Sequence, residues 1–462
     1  MFSETPRFTR PNQHVAISVL IILGAVILML PAIFNGFPFV FQDSADYLIF
    51  TPRLYRSPFY GLLISFFHLN QFIWAPIIAQ ALIGSHLIYV MVKIQNISRV
   101  KRTFLLLVSL LTVASPLPYF VGFVMPDIFT AYMFVVLYLI GFYFLTFPII
   151  TRIYFLLLAC VSIAAHLSHL AMAIGIVFLF IPLAYWGGRS WQNIRMHTAF
   201  LLLPILLTAC AYLSFNYFAF HSTSLSPAGQ TFFLANLIEH GPAHEYLQTA
   251  CPKAGYKICT KVDQLPVKAE DFLWKEGYLN ELGGFSEMAA ESRAVTFAVV
   301  KEHPKEVITM MFQNFAEGLN THKPAAELAP HFFPTWTSIF TVLNQKFGPD
   351  ALSGFEQSTQ MKDQINHVLI ESIDEVIIPT SFILLVILGL YAAIRRRRDL
   401  TILTVFIICS VLGNTLLCVT VSGIHDRYQA RVSWLLVMTA FLVVLSLLAD
   451  KKLKMRNPLT LS

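Results

Sequence analysis

Outside residues 220–375 the chain has only seven acidic residues, and four of them, Asp43, Asp46, Asp127 and Asp426, adjoin apolar runs. Ionisable groups at membrane depth are costly, so a functional role is the default reading; the bland one is a loop carboxylate at a helix end. Asp43 and Asp46 lie three apart in GFPFVFQDSADYLIFTPRLYRSPFYG and share a face if that stretch is helical. Such a pair could take a proton from a hydroxyl or amine, or hold a divalent cation. Arg53 and Arg56, a few residues on, could grip a phosphate through paired hydrogen bonds, or simply anchor the interface.

Asp127 closes the proline-rich stretch SPLPYFVGFVMPD at the head of an apolar run, where capping a helix explains it about as well as catalysis does. His166 and His169, three apart, have a spacing that can bring two imidazoles to one metal, although two histidines alone more often hydrogen-bond at the interface. The segment SGIHDRYQARVSW gathers His425, Asp426, Arg427, Tyr428 and Arg431. Arg427 and Arg431, one helical turn apart, could clamp a lipid phosphate or diphosphate, and Tyr428 could stack on a sugar. Cys251 and Cys259 sit in CPKAGYKIC; a disulfide in an oxidising compartment fits better than a metal site, whose second ligand pair is absent.

The elements that must position these groups are membrane helices. The 462 residues are 56% hydrophobic and 13% charged, with a mean hydropathy of +0.65, more apolar surface than a soluble core can hide. Runs near 20 residues predict helices at 15–36, 57–92 (an interfacial helix plus one span), 103–121, 126–147, 150–165, 168–187, 198–219, 376–394, 400–420 and 429–449, about ten transmembrane helices in all. The first run continues to Phe34 with no Ala-x-Ala-like site after it and reads as a retained helix.

Residues 220–375 hold 11 Lys and Arg against 19 Asp and Glu, leaving 21 basic and 7 acidic residues elsewhere. Placing Arg7 and Arg10, the Lys93–Arg102 loop, the Arg395–Arg398 cluster and the Lys451–Arg456 tail inside satisfies the positive-inside rule and puts every loop named above outside. The expected organisation is a transmembrane module over 1–219, a mainly helical outer soluble domain over 220–375, and a second transmembrane module over 376–462. Both termini are then cytoplasmic, and a bacterial inner membrane is the expected setting. The tract FLWKEGYLNELGGF is aromatic enough to form a contact surface, though such density more often builds a core.

In placement these residues resemble the GT-C fold glycosyltransferases that use polyprenyl-phosphate-linked sugars, particularly the protein O-mannosyltransferase and aminoarabinose lipid A transferase branch. In that group an essential acid follows helix one, often with an Arg-x-Pro-x-Tyr-like stretch; Asp43, Asp46 and RSPFYG (Arg56–Gly61) match it. A second acid follows helix three, as Asp127 does, and an Arg-Tyr pair opens a late helix, as Arg427 and Tyr428 do. The first-loop acids depart from the group's adjacent pair, being separated as DSAD.

The resemblance implies a GT-C-like, all-α polytopic fold and sugar transfer from a polyprenyl-phosphate donor to a lipid, glycan or protein acceptor at the outer membrane face. Asp43 would deprotonate or orient the acceptor, Asp46 and Asp127 would position it or bind a cation, and Arg56 with Arg427 would stabilise the departing phosphate. No cofactor is assigned, a divalent cation stays open, and the partners are membrane lipids and the two substrates, not nucleic acid. Two other readings stand beside this one. In the first the same charges line the pathway of a transporter or flippase; in the second the outer domain recruits partners to a non-catalytic assembly protein.

Overall fold

The computed structural model describes residues 11–274, 277–330 and 338–456. Arg7, Arg10, Lys275 and Glu276 lie outside them, as do the side chains of the Lys451–Arg456 tail.

Lipid offers the backbone no hydrogen bonds, so each long apolar run satisfies itself as a helix. The N-terminal half contains α1 (Pro11–Asn35), α2 (Ser44–Ile49), α3 (Pro58–His68), α4 (Trp74–Ile94), α5 (Val100–Val113), α6 (Leu117–Gly122), α7 (Ile128–Tyr143), α8 (Ile149–Ala164), α9 (His169–Trp186) and α10 (Trp191–Phe220). The C-terminal helices are given below. Among the described residues eight helices are long and apolar enough to cross a membrane, and the chain is an all-α multi-pass membrane protein. Two expected spans fall short of that length. The 103–121 run breaks into α5 and α6 at Ser115-Pro116, where two closely spaced prolines, Pro116 and Pro118, remove backbone donors and open a new helix, and α8 has 16 residues.

Apolar on every side, α7 takes the centre of the bundle, with all residues from Ile128 to Phe142 buried. Small residues let neighbours approach it: Gly84 of α4 faces Tyr132, whose hydroxyl donates to the Gln80 carbonyl at 2.8 Å.

The segment that follows α10, expected from its charge to lie outside, divides in two. Helices α11 (Gly229–Glu239), α12 (Pro242–Ala254), α13 (Ala269–Trp274), α14 (Tyr278–Glu281), α15 (Gly284–Glu302) and α16 (Pro304–Gly318) enclose their own core around Leu234, Phe272, Met288 and Val295. Cys251 and Cys259 are disulfide-bonded within it. By contrast the 3-10 turn Ala325–Leu328, α17 (Ile339–Phe347) and α18 (Pro349–Glu356) bury Ala325, Leu328, Leu343 and Phe355 in the core of the membrane bundle. Gln360 fixes this second part: its amide exchanges hydrogen bonds with the Val40 backbone (3.1 and 3.0 Å), and its N–H donates to Asn35 Oδ1 at 2.7 Å.

Three long helices complete the chain, α19 (His367–Ile394), α20 (Arg398–Val421) and α21 (Asp426–Arg456). α19 starts nine residues before the expected boundary at 376, capped by Asn366 Oδ1, which accepts from Leu369 N at 3.0 Å. Its first turns stay outside the apolar run and carry Glu371 and Glu375, both facing Lys323 Nζ (3.7 and 2.6 Å). The end of α20 in turn seats the outer helices. Its last carbonyls have no partner within the helix. Asn236 Nδ2 of α11 donates to Val419 O (2.9 Å) and Thr420 O (2.6 Å), and Asn314 Nδ2 of α16 to Val419 O (3.4 Å). Gly318 permits this contact: a Cβ there would meet Val419 at 2.6 Å.

Candidate functional site

Two loops, after α1 and after α6, supply the acids, and the backbone joins them. Phe39 N donates to Gly122 O at 2.9 Å and Val124 N to Phe39 O at 3.0 Å, a parallel bridge between the loop after α1 and the loop after α6. Gln80 Nε2 holds the second loop from below, donating to Val121 O and Phe123 O at 3.0 Å each. Asp43 precedes α2 and Asp127 precedes α7, yet neither carboxylate caps its helix. Both face arginines instead, which removes the capping explanation.

Arg56 reaches back over α2. Its Nη2 donates to Asp43 Oδ1 at 2.5 Å, its Nη1 to the Asp43 carbonyl at 3.1 Å, and Asp46 Oδ2 lies 3.2 Å from Nη1. Arg53 lies at the rim, with Nη2 3.3 Å from Asp46 Oδ1. Burial works against the charge on Arg56, but Asp43, followed by Tyr47 and Asp46, more than offsets it and raises its pKa.

From the other side α21 brings Arg427 and Arg431. The Arg431 side chain is 0% exposed: Nη1 donates to Asp127 Oδ1 at 3.1 Å, and Nη2 to Asn414 Oδ1 at 3.2 Å. Asn414 Nδ2 donates onward to the Tyr428 carbonyl at 2.6 Å, and the Tyr428 ring lies beneath both guanidiniums. Arg431 is therefore the partner of Asp127 rather than a group open to a ligand.

Arg427 differs. Its guanidinium has Asp43 Oδ2 and Asp127 Oδ1 at 3.8 Å and Glu327 Oε2 at 4.0 Å, all beyond hydrogen-bond length. Its Nε and Nη1 are buried without a hydrogen-bond partner. A buried donor left unmade is expensive, and two on one side chain facing three carboxylates mark a place for an anionic or hydroxylic visitor.

The remaining candidates border this cluster or turn from it. His425 packs edge-on against Tyr428 (5.2 Å), and burial, reinforced by Arg427, lowers its pKa to about 4, so it is neutral at physiological pH. Asp426 Oδ1 accepts from Lys323 N at 2.9 Å. His169 is a satisfied core residue, bonded to Thr130 Oγ1 (2.7 Å) and the Ser162 carbonyl (2.6 Å). His166 bonds Ser168 Oγ at 2.8 Å, and burial together with Arg431, Arg427 and Arg56 lowers its pKa. Among the described residues no three His, Cys, Asp or Glu side chains are grouped to hold a metal; the acids face guanidiniums instead. Cys251 and Cys259 belong to the separate outer core.

Two neighbours were not singled out in the sequence. Glu327 is one acid among 19 in the polar segment; its only signal is the apolar, proline-bounded stretch PAAELAP. Burial raises its pKa ahead of the opposing pull of Arg427. The other is Tyr55, which packs against Trp274 (5.2 Å) and Phe285 (4.8 Å) of the aromatic tract FLWKEGYLNELGGF, with Arg56 5.4 Å from the Tyr55 ring centre.

Below the charges an apolar cavity of about 190 Å3 lies between α3, α4 and α8, lined by Tyr60, Phe67, Ile83, Phe129 and Leu157 among others. Tyr60 joins the two regions, its ring edge-on to Tyr47 at 5.0 Å, and Tyr47 lies 5.7 Å from the Arg56 guanidinium. Comparisons of the chain with family models, curated proteins and solved structures return no match.

Proposed function

We propose that the chain is a membrane glycosyltransferase that moves a sugar from a polyprenyl-phosphate donor to a lipid, glycan or protein acceptor at the outer face of the membrane. The observation that carries the reading is Arg427, a buried guanidinium with two unsatisfied N–H groups in front of three carboxylates. A leaving phosphate gains negative charge as the glycosidic bond breaks, and a fixed guanidinium at that point stabilises the transition state more than the ground state. Asp43, held by Arg56 on one oxygen, presents the other to the acceptor. Asp127, fixed by Arg431, sets the position of Arg427.

The apolar cavity beside Tyr60 supports a substrate with a long hydrocarbon tail, since it adjoins the charged cluster and is lined by membrane-facing residues such as Leu157. The test uses the full chain in lipid nanodiscs with undecaprenyl phosphate, the leaving group common to many sugars. Binding detected by native mass spectrometry, and lost in Arg427→Ala, is the expected result. Because one compartment suffices, sugar transfer in detergent separates this reading from transport, which needs two sides; failure of the wild-type chain to bind the lipid would overturn it.

A further inference from the structure

We infer that Glu327 is the proton acceptor of the transfer proposed above. The inference rests on that reading and adds its base. Of the three carboxylates around Arg427, Asp127 is 4% exposed and its Oδ1 accepts from Arg431 Nη1 at 3.1 Å, out of reach of an incoming group. Asp43 has one oxygen committed to Arg56 at 2.5 Å. Glu327 Oε2 alone is a buried acceptor with no hydrogen-bond partner, 4.0 Å from Arg427 Nη1. Such an atom costs free energy in the resting protein, and a donor arriving with the substrate resolves it.

Its placement is fixed, as a base requires. The turn Ala325–Leu328 buries Ala325 and Leu328 completely, and the Ala325 carbonyl accepts from His367 Nδ1 of α19 at 2.9 Å. Four charged groups act on the carboxylate: Arg427 from α21, 4.0 Å away, and at longer range Asp127 at the head of α7, Asp43 in the first loop and Asp426. Burial outweighs Arg427 and, with the three acids, favours holding a proton. A nucleophile that bridges Glu327 Oε2 and Arg427 Nη1 from the side meets the base and the phosphate-binding guanidinium together.

In the step itself the acceptor oxygen or nitrogen forms a bond to the anomeric carbon. The bond from that carbon to the phosphate oxygen breaks, its electron pair stays on the phosphate facing Arg427, and the acceptor's proton moves to Glu327 Oε2, from which it returns to water.

The experiment first compares lipids, glycans and proteins by mass spectrometry from cells with and without the chain, to find the sugar whose attachment depends on it. Glu327→Gln, Glu327→Asp and Arg427→Ala are then measured in the same membranes. Undecaprenyl phosphate binding is followed on each purified chain. Glu327→Gln should lose transfer by about 10²–10⁴-fold, as loss of a general base does, with lipid binding unchanged and partial activity in Glu327→Asp. Wild-type transfer by Glu327→Gln, with Arg427→Ala inactive, overturns the inference and leaves the transferase reading standing. Joint loss of transfer and lipid binding in Glu327→Gln also overturns it, making Glu327 a restraint on Arg427. If no sugar depends on the chain, the underlying reading fails with it.

Discussion

Arg431 and Asp127 form the most buried ion pair of the site, and breaking it from one side leaves a charge with no water to turn to. Asp127→Ala should cost about 3–5 kcal/mol, seen as a large drop in thermal stability of the solubilised protein. Asp127→Leu combined with Arg431→Met should recover much of that stability without restoring function, since a packed apolar pair can replace a buried ionic one. Glu327 carries a pH signature of opposite origin. Its folded pKa is raised, so the native state binds the proton more tightly than the unfolded chain, and this contribution is complete in acid and lost as pH rises through the folded value. Wild type should therefore lose thermal stability relative to Glu327→Gln on going from acid to neutral pH; parallel melting curves across that range would refute it. The sequence made Asp43, Asp127 and Arg427 legible because a charge beside an apolar run stands out. Glu327 was hidden because an acid in a polar stretch does not, and only the tertiary fold turns PAAELAP inward.

At the scale of helices, hydropathy and proline explain what could be read. Among the described residues eight long apolar runs form helices long enough to span, while the expected 103–121 helix is cut in two at Pro116. The start of α19 was misplaced because Glu371, Asp374 and Glu375 look like loop residues; in the fold Glu371 and Glu375 are matched by Lys323, a partner far away in sequence. The seat of the outer helices on α20 was equally invisible, since two asparagines reveal nothing until the carbonyls they serve are known. Asn236→Ala with Asn314→Ala should loosen that seat, by about 1 kcal/mol for each lost group of bonds. Limited proteolysis should then cut faster around residues 221–228, ahead of α11, while lipid binding is retained; an unchanged cleavage rate would argue that Gly318 and the apolar packing hold the helices alone.

Over the whole molecule, the segment expected as one outer domain packs in two pieces, one with its own core and disulfide, the other built into the bundle. Charge counting could not see this, because both pieces are polar outside and the difference lies in which core receives Leu328, Leu343 and Phe355. Cys251→Ser should accordingly lower the melting transition of the outer helices and leave undecaprenyl phosphate binding intact, a separation that calorimetry with native mass spectrometry can read. Tyr55 gives the two-part design a mechanical meaning. It rests on Trp274 and Phe285, while the very next residue clasps Asp43. In the transferase proposed above, a bulky acceptor pressing on Trp274 and Phe285 would lean, through one ring, on the strut beside Asp43, and its weight would be felt at the acid.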